Sequence, residues 1–83
     1  MLRVFGSDDC ERCKVYLPAL KEAGIDFVFI DAEAEENDDL CEEFDIDELP
    51  VTQVVDDDGK VLGELRGSLQ PGFLLEWKEM LEE

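Results

Sequence analysis

The sequence of 83 residues is poor in histidine, in cysteine and in positively charged side chains. It has no histidine, three cysteines, and seven Lys and Arg against 24 Asp and Glu, which gives a formal net charge of −17. Nucleic acids and anionic membranes attract a positive surface, so neither is expected as a partner. No run approaches the ~20 apolar residues that span a membrane. The first residues lack the features of a signal peptide, so the expected location is cytoplasmic.

The acidic residues are concentrated in the middle of the chain. No Lys or Arg occurs between Glu22 and Gly59, and 11 acidic residues lie between Asp31 and Glu48. One interpretation is a solvated acidic surface, as in the proteins of a salt-loving organism. The other is attraction toward a basic partner protein. Stability that rises steeply with salt would favour the first.

Length and composition indicate one domain over residues 1–83. A second hydrophobic core does not fit in a chain of this size, and 45% apolar residues is normal for a globular protein. In the cytosol thiols are kept reduced, so closely spaced cysteines indicate catalysis or metal binding rather than a structural disulfide.

Hydrophobic periodicity predicts the element order βαβαββα. The predicted strands and helices cover residues 2–5, 10–23, 26–31, 36–44, 51–55, 61–66 and 73–81. The helical crossover makes the first two strands parallel, and the turn signal Asp58-Gly59 makes the last two an antiparallel hairpin. The sequence therefore predicts an α/β fold with a mixed four-stranded sheet and helices on both faces.

Three finer expectations follow from the same patterns. The continuous apolar run at 26–31 predicts a strand covered on both faces. Asn37 is the expected cap of the second helix, whose inner stripe is Leu40, Cys41 and Phe44. The last helix is expected to bury one stripe, formed by Phe73, Leu74, Trp77, Met80 and Leu81.

The most informative motif is Cys10-Glu11-Arg12-Cys13, at the junction of the first strand and the first helix. Gly6-Ser7-Asp8-Asp9 precedes it as a turn that supplies candidates for the helix N-cap. Cysteines at this spacing can form a disulfide with each other, and a helix N-terminus favours the thiolate. The motif therefore predicts reversible thiol–disulfide chemistry.

Nearly the whole chain resembles the thioredoxin superfamily, in particular its short thioredoxin-like and glutaredoxin-like members. The matching segments are CERCK at 10–14 with PALKE at 18–22, the segment 37–46, Leu49-Pro50, and the closing hairpin 57–61 with Gly67. The chain lacks the first strand and helix of full-length thioredoxins. Asp9 replaces a tryptophan, Val4 replaces a buried acid, and Glu11-Arg12 replaces Gly-Pro or Pro-Tyr.

The resemblance implies a minimal thioredoxin-like fold and a thiol–disulfide oxidoreductase that reduces protein disulfides. Cys10 would be the more exposed nucleophile and Cys13 the resolving thiol. A cis Leu49-Pro50 pair would present its backbone to a substrate strand, and Arg12 would add positive charge. The redox centre would be the Cys10–Cys13 disulfide, with no other cofactor and no metal.

The resemblance also implies disulfide-containing protein substrates and a thioredoxin-reductase-like or thiol electron donor, with the protein a monomer that serves electron transport and cell redox homeostasis. Glutathione is less favoured, because it is negatively charged and basic residues are scarce here. One alternative is metal binding by Cys10 and Cys13; another is a non-catalytic interaction module with an acidic face. Cys41 is expected to be buried and inert, with pairing to a second copy as the alternative.

Overall fold

The computed structural model describes residues 1–83. In chain order the elements are β1 (Leu2–Gly6), α1 (Glu11–Glu22), β2 (Val28–Asp31), a 3₁₀ turn (Glu35–Asn37), α2 (Asp38–Glu43), β3 (Val51–Val55), β4 (Val61–Arg66) and α3 (Pro71–Glu82). The predicted order of three helices and four strands is confirmed. None of the helices is long and apolar enough to cross a lipid bilayer.

The four strands form one mixed sheet in the order β2-β1-β3-β4. Strands β1 and β2 are parallel, whereas β1 with β3 and β3 with β4 are antiparallel. The mixed sheet, the parallel β1–β2 pair and the antiparallel β3–β4 pair are as predicted. Strands β1 and β3 therefore lie in the middle of the sheet, and β2 and β4 are its edges.

One face of the sheet carries the hydrophobic core. Val4 of β1 and Val54 of β3 point to this face and are fully buried. They pack with Tyr16 and Leu20 of α1 and Leu74 of α3. Burial of apolar side chains is the main stabilising term of a small domain, so α1 and α3 hold this face of the sheet.

The other face combines apolar and polar side chains under α2. Phe5 of β1 is fully buried and contacts Phe44, just after α2, edge to face, with 6.5 Å between ring centroids. Next to it, Arg3 donates to Gln53 Oε1 from Nε at 3.0 Å and from Nη2 at 2.6 Å. Gln53 Nε2 in turn donates to Glu64 at 2.9 Å. Helices therefore cover both faces, as predicted.

The prediction that the strand at 26–31 is buried on both faces was wrong. Strand β2 begins at Val28 and is the edge strand of the sheet. Val28 and Phe29, whose side chains point to opposite faces, are each 43% exposed. An apolar run gives high strand propensity wherever the strand lies, but the position in the sheet depends on the pairing of the other three strands.

The predicted apolar stripe of α3 was only partly right. Leu74 is fully buried, and Trp77 and Leu81 pack against the core. Gly63 of β4 permits this close approach, because a Cβ there would lie 2.5 Å from Leu81 Cδ1. Phe73 and Met80 are 50% and 71% exposed, since they flank the line along which the helix meets the sheet.

The second helix differs from the prediction at its start. Asn37 makes no side-chain capping bond. Its amide instead donates to the Asp31 carbonyl at 2.9 Å, and a 3₁₀ turn leads into the helix. The inner stripe of Leu40, Cys41 and Phe44 is half-buried, because one short helix cannot cover the whole face.

Candidate active site

The CxxC motif and the Leu49–Pro50 pair meet at one end of the sheet. Strands β1 and β2 finish there, with Gly6 paired with Asp31. Strand β3 starts there, with Val51 paired with Phe5. The turn after β1 leads to Cys10, and Leu49–Pro50 directly precedes β3. The topology therefore brings together two segments that are far apart in sequence.

Cys10 is itself the N-cap residue of α1. Its backbone is extended, and its Sγ accepts a hydrogen bond from the Cys13 N–H at 3.2 Å. The expectation that Ser7, Asp8 or Asp9 caps the helix was wrong. Residues 7–10 form a turn in which the Cys10 N–H donates to the Ser7 carbonyl at 3.3 Å, so the helix begins only after Cys10. A free N–H of the first turn therefore points at the Cys10 sulfur.

Cys13 lies one turn further along α1 and is only 1% exposed, whereas Cys10 is half-buried. Burial, together with a hydrogen bond to Cys10, raises the pKa of Cys13 to about 11. At neutral pH the Cys13 thiol therefore keeps its proton. The predicted difference in exposure between the two cysteines is confirmed, and both are free thiols in this structure.

Gly6 lies directly beneath the Cys13 sulfur. A Cβ at this position would be 3.1 Å from Cys13 Sγ and 3.2 Å from Phe29 Cε1. Gly6 was predicted as part of the turn but is the last residue of β1 and is buried. A glycine within a strand marks close approach of other groups, and this signal was present in the sequence.

The charges around Cys10 are mainly negative. Asp9, with smaller contributions from burial, Asp31 and Asp8, raises the pKa of the Glu33 carboxyl. Arg12, the predicted positive group, is exposed and makes no hydrogen bond or ion pair. The motif therefore has an acidic rim, and Arg12 within it is a free cation.

The Leu49–Pro50 peptide bond is cis, as the resemblance implied. Pro50 is buried and Leu49 is half-buried. The Pro50 carbonyl accepts a hydrogen bond from the Gly67 N–H at 2.8 Å, which ties this segment to the end of β4.

A buried polar pair beside Val4 was not foreseen. Tyr16 and Thr52 share a hydrogen bond of 2.8 Å between their hydroxyl oxygens, and Thr52 pairs with Val4 across the strands. Burial raises the pKa of Tyr16, so its hydroxyl stays neutral. Both are fully buried polar residues in apolar elements, and a threonine in an apolar strand was the only hint in the sequence.

Cys41 lies on α2, on the opposite face of the sheet from Cys10 and Cys13. It is half-buried, and burial together with Asp38 raises the pKa of its thiol. No group of three or more Cys, Asp or Glu side chains is arranged to hold a metal ion. Cys10 and Cys13 are the two neighbouring thiols at this site, and they differ in exposure.

No family model and no curated protein matches the sequence. Solved structures do match it. Schistosoma mansoni thioredoxin has a TM-score of 0.78 at 19% identity, over 96% of this chain and 76% of that one. Mitochondrial thioredoxin 3 of Saccharomyces cerevisiae has a TM-score of 0.73 at 23% identity, over 95% and 76%.

A third structure is thioredoxin f2, solved in complex with ferredoxin:thioredoxin reductase. Its TM-score is 0.78 at 24% identity, over 99% of this chain and 76% of that one. At such identities the likeness concerns the backbone. It agrees with the mixed four-stranded sheet and its three helices. Together these findings show that the chain has the thioredoxin fold.

Proposed function

We propose that this protein is a small dithiol–disulfide oxidoreductase that reduces disulfides of other proteins. The observation that carries the proposal is the asymmetry of the two thiols on α1. Cys10 is accessible and its sulfur accepts a backbone N–H, whereas Cys13 is buried with a raised pKa. One thiol is thus suited to attack and the other to wait in its protonated form.

The reaction is two successive thiol–disulfide exchanges. The Cys10 thiolate attacks one sulfur of the substrate disulfide, which breaks that bond and releases the first substrate thiol after protonation. Cys13 then loses its proton and attacks Cys10 Sγ, which releases the second substrate thiol and forms the Cys10–Cys13 disulfide. Two electrons pass to the substrate, and an external dithiol donor must return them.

Substrate recognition is assigned to Leu49, Pro50 and Arg12. The Leu49 backbone lies at the same end of the sheet as Cys10 and would pair with an extended substrate segment, with Pro50 holding it in place. Arg12 is an unpaired cation next to Cys10. The scarcity of basic side chains favours a reductase over glutathione as electron donor, and a related fold has been solved with such a reductase. We place the reaction in the reducing cytoplasm, without another cofactor.

The proposal is tested by equilibrating the protein in defined thiol/disulfide buffers and counting alkylated thiols by mass. An intramolecular Cys10–Cys13 disulfide with a potential near about −270 mV indicates a reductant, and one between about −180 and −120 mV indicates an oxidant or isomerase. Cys13→Ser should trap a mixed disulfide, Cys10→Ser should form none, and Cys41→Ser is the matched control. Failure to form the intramolecular disulfide would refute the dithiol mechanism.

A further inference from the structure

Arg66, the last residue of β4, has hydrogen bonds that a solvated surface arginine would not need. Its Nη1 donates to Asp47 Oδ1 at 2.7 Å, and its Nη2 donates to the carbonyls of Phe44 and Asp45, both at 3.0 Å. Longer contacts of 3.4 Å reach Glu64.

The two carbonyls are those left free where α2 ends. Phe44 is the C-cap residue of α2, and Asp45 follows it with a positive φ of 55°. Carbonyls at a helix C-terminus lack partners within the helix and carry its partial negative charge. A planar guanidinium presents its five donors in a rigid fork, so it can hold several such acceptors in one fixed arrangement.

The segment held by Arg66 leads directly to the predicted substrate-binding pair. Three residues separate Asp45 from Leu49, and Asp47 among them carries the ion pair with Arg66. At the far end, the Gly67 N–H donates to the Pro50 carbonyl at 2.8 Å. Two consecutive residues, Arg66 and Gly67, therefore fasten both ends of the segment 44–50 to the end of β4.

We propose that Arg66 is a positioning residue that fixes the backbone of Leu49–Pro50 for pairing with a protein substrate. It acts through the segment 44–50 and takes no part in the sulfur chemistry. This inference rests on the proposed function. Its consequence is selective: substrates that need the Leu49–Pro50 backbone depend on Arg66, whereas a small disulfide that only meets Cys10 does not.

The test compares two probes, insulin as the protein disulfide and the small aromatic disulfide DTNB. Arg66→Gln should raise KM for insulin about tenfold with kcat little changed, because a displaced binding segment weakens productive binding. The rate with DTNB should stay within about twofold, because that reaction does not use the segment. Arg66→Lys should resemble Arg66→Gln, since the charge remains but the fork is lost. Asp47→Asn, which removes only the ion pair, should give a smaller rise.

Lys60→Gln is the matched control, because it removes one positive charge from the β3–β4 turn, where the Lys60 side chain makes no contact with the segment. The KM for insulin and the rate with DTNB should both be unchanged in this variant. Equal losses with insulin and DTNB in Arg66→Gln, or an unchanged KM for insulin, would overturn the positioning role. A parent protein that reduces neither probe would instead overturn the proposed function. Thermal unfolding of each variant shows whether it is folded. If Arg66→Gln is unstable, Asp47→Asn still tests the proposal, because it removes only the ion pair to Arg66.

Discussion

Each face of the sheet withdraws an ionisable group from water, and the faces differ in the partners that they offer to it. On the face covered by α1 and α3, Cys13 is only 1% exposed, and burial raises its pKa so that it stays neutral. On the α2 face, burial lowers the pKa of Arg3 while Glu43 opposes the shift. Arg3 also bonds to Gln53, and its guanidinium lies 5.4 Å from the ring centroid of Phe44.

This difference shows how the fold separates two tasks. An apolar environment suppresses the charged form of a thiol until it is needed. A charged group is retained in a partly buried position only when its N–H donors are hydrogen-bonded and its charge interacts favourably with neighbouring groups. The α1 face therefore keeps the Cys13 thiol neutral, and the α2 face supplies a specific polar network.

The largest expected effect lies in the apolar face. Leu20→Ala removes a fully buried side chain from the α1 stripe and should lower the free energy of unfolding by about 2–5 kcal/mol. Such a loss is a large part of the total stability of a small domain. Urea denaturation followed by circular dichroism measures it. Val15→Ala, on the same helix at a site 74% exposed, is the control and should change stability by less than about 0.5 kcal/mol.

The second prediction tests whether the apolar face keeps Cys13 protonated. DTNB should react in two phases, first with Cys10 and then by attack of Cys13 on the resulting mixed disulfide. Because the pKa of Cys13 is about 11, the thiolate fraction, and with it the second rate, should rise about tenfold per pH unit between pH 7 and 9. Cys13→Ser should lack the second phase, and Cys41→Ser should keep both. A second rate independent of pH would contradict the raised pKa.

The sequence was sufficient for the order of the elements, for the parallel β1–β2 pair and for the β3–β4 hairpin, because each depends on signals that are close together in the chain. Periodicity marked the helices, and the spacing of Cys10 and Cys13 at a helix start marked the site. The same signals could not identify Cys10 as the N-cap residue. That role depends on where the turn closes, and the Ser7 carbonyl sets it by accepting from Cys10.

The polar network and the exposed edge were out of reach for a different reason. Arg3, Gln53 and Glu64 meet only because three strands pair in one register, and a shift by one residue would separate them. The exposure of Val28 likewise depends on β2 being the edge strand. Such features require the tertiary arrangement, and Arg66 belongs to the same class, since its acceptors lie about 20 residues earlier in the chain.

The third prediction concerns the polar network. Gln53 is fully buried and bonds to both Arg3 and Glu64. Gln53→Met keeps the length of the side chain but leaves both charged partners unsatisfied, so it should cost about 2 kcal/mol in urea denaturation. On the opposite face, the double variant Tyr16→Phe/Thr52→Val removes both hydroxyls of a pair and should be nearly neutral. If both variants lost the same stability, the contrast between the faces would be unsupported.

The smallest expected effect is at Gly6, the last residue of β1, which lies against Cys13 and Phe29. In Gly6→Ala the new Cβ would lie 3.1 Å from Cys13 Sγ and 3.2 Å from Phe29 Cε1, so one of the two must move, at a cost of about 1 kcal/mol. Phe29 is 43% exposed and can shift outward more readily than buried Cys13. Gly6→Ala/Phe29→Leu should therefore recover most of the lost stability and the parent potential of the Cys10–Cys13 disulfide. Gly72→Ala, where a Cβ meets nothing within 4 Å, is the control. A Gly6→Ala variant with parental stability and potential would mean that Cys13 is less tightly packed against β1 than the geometry indicates.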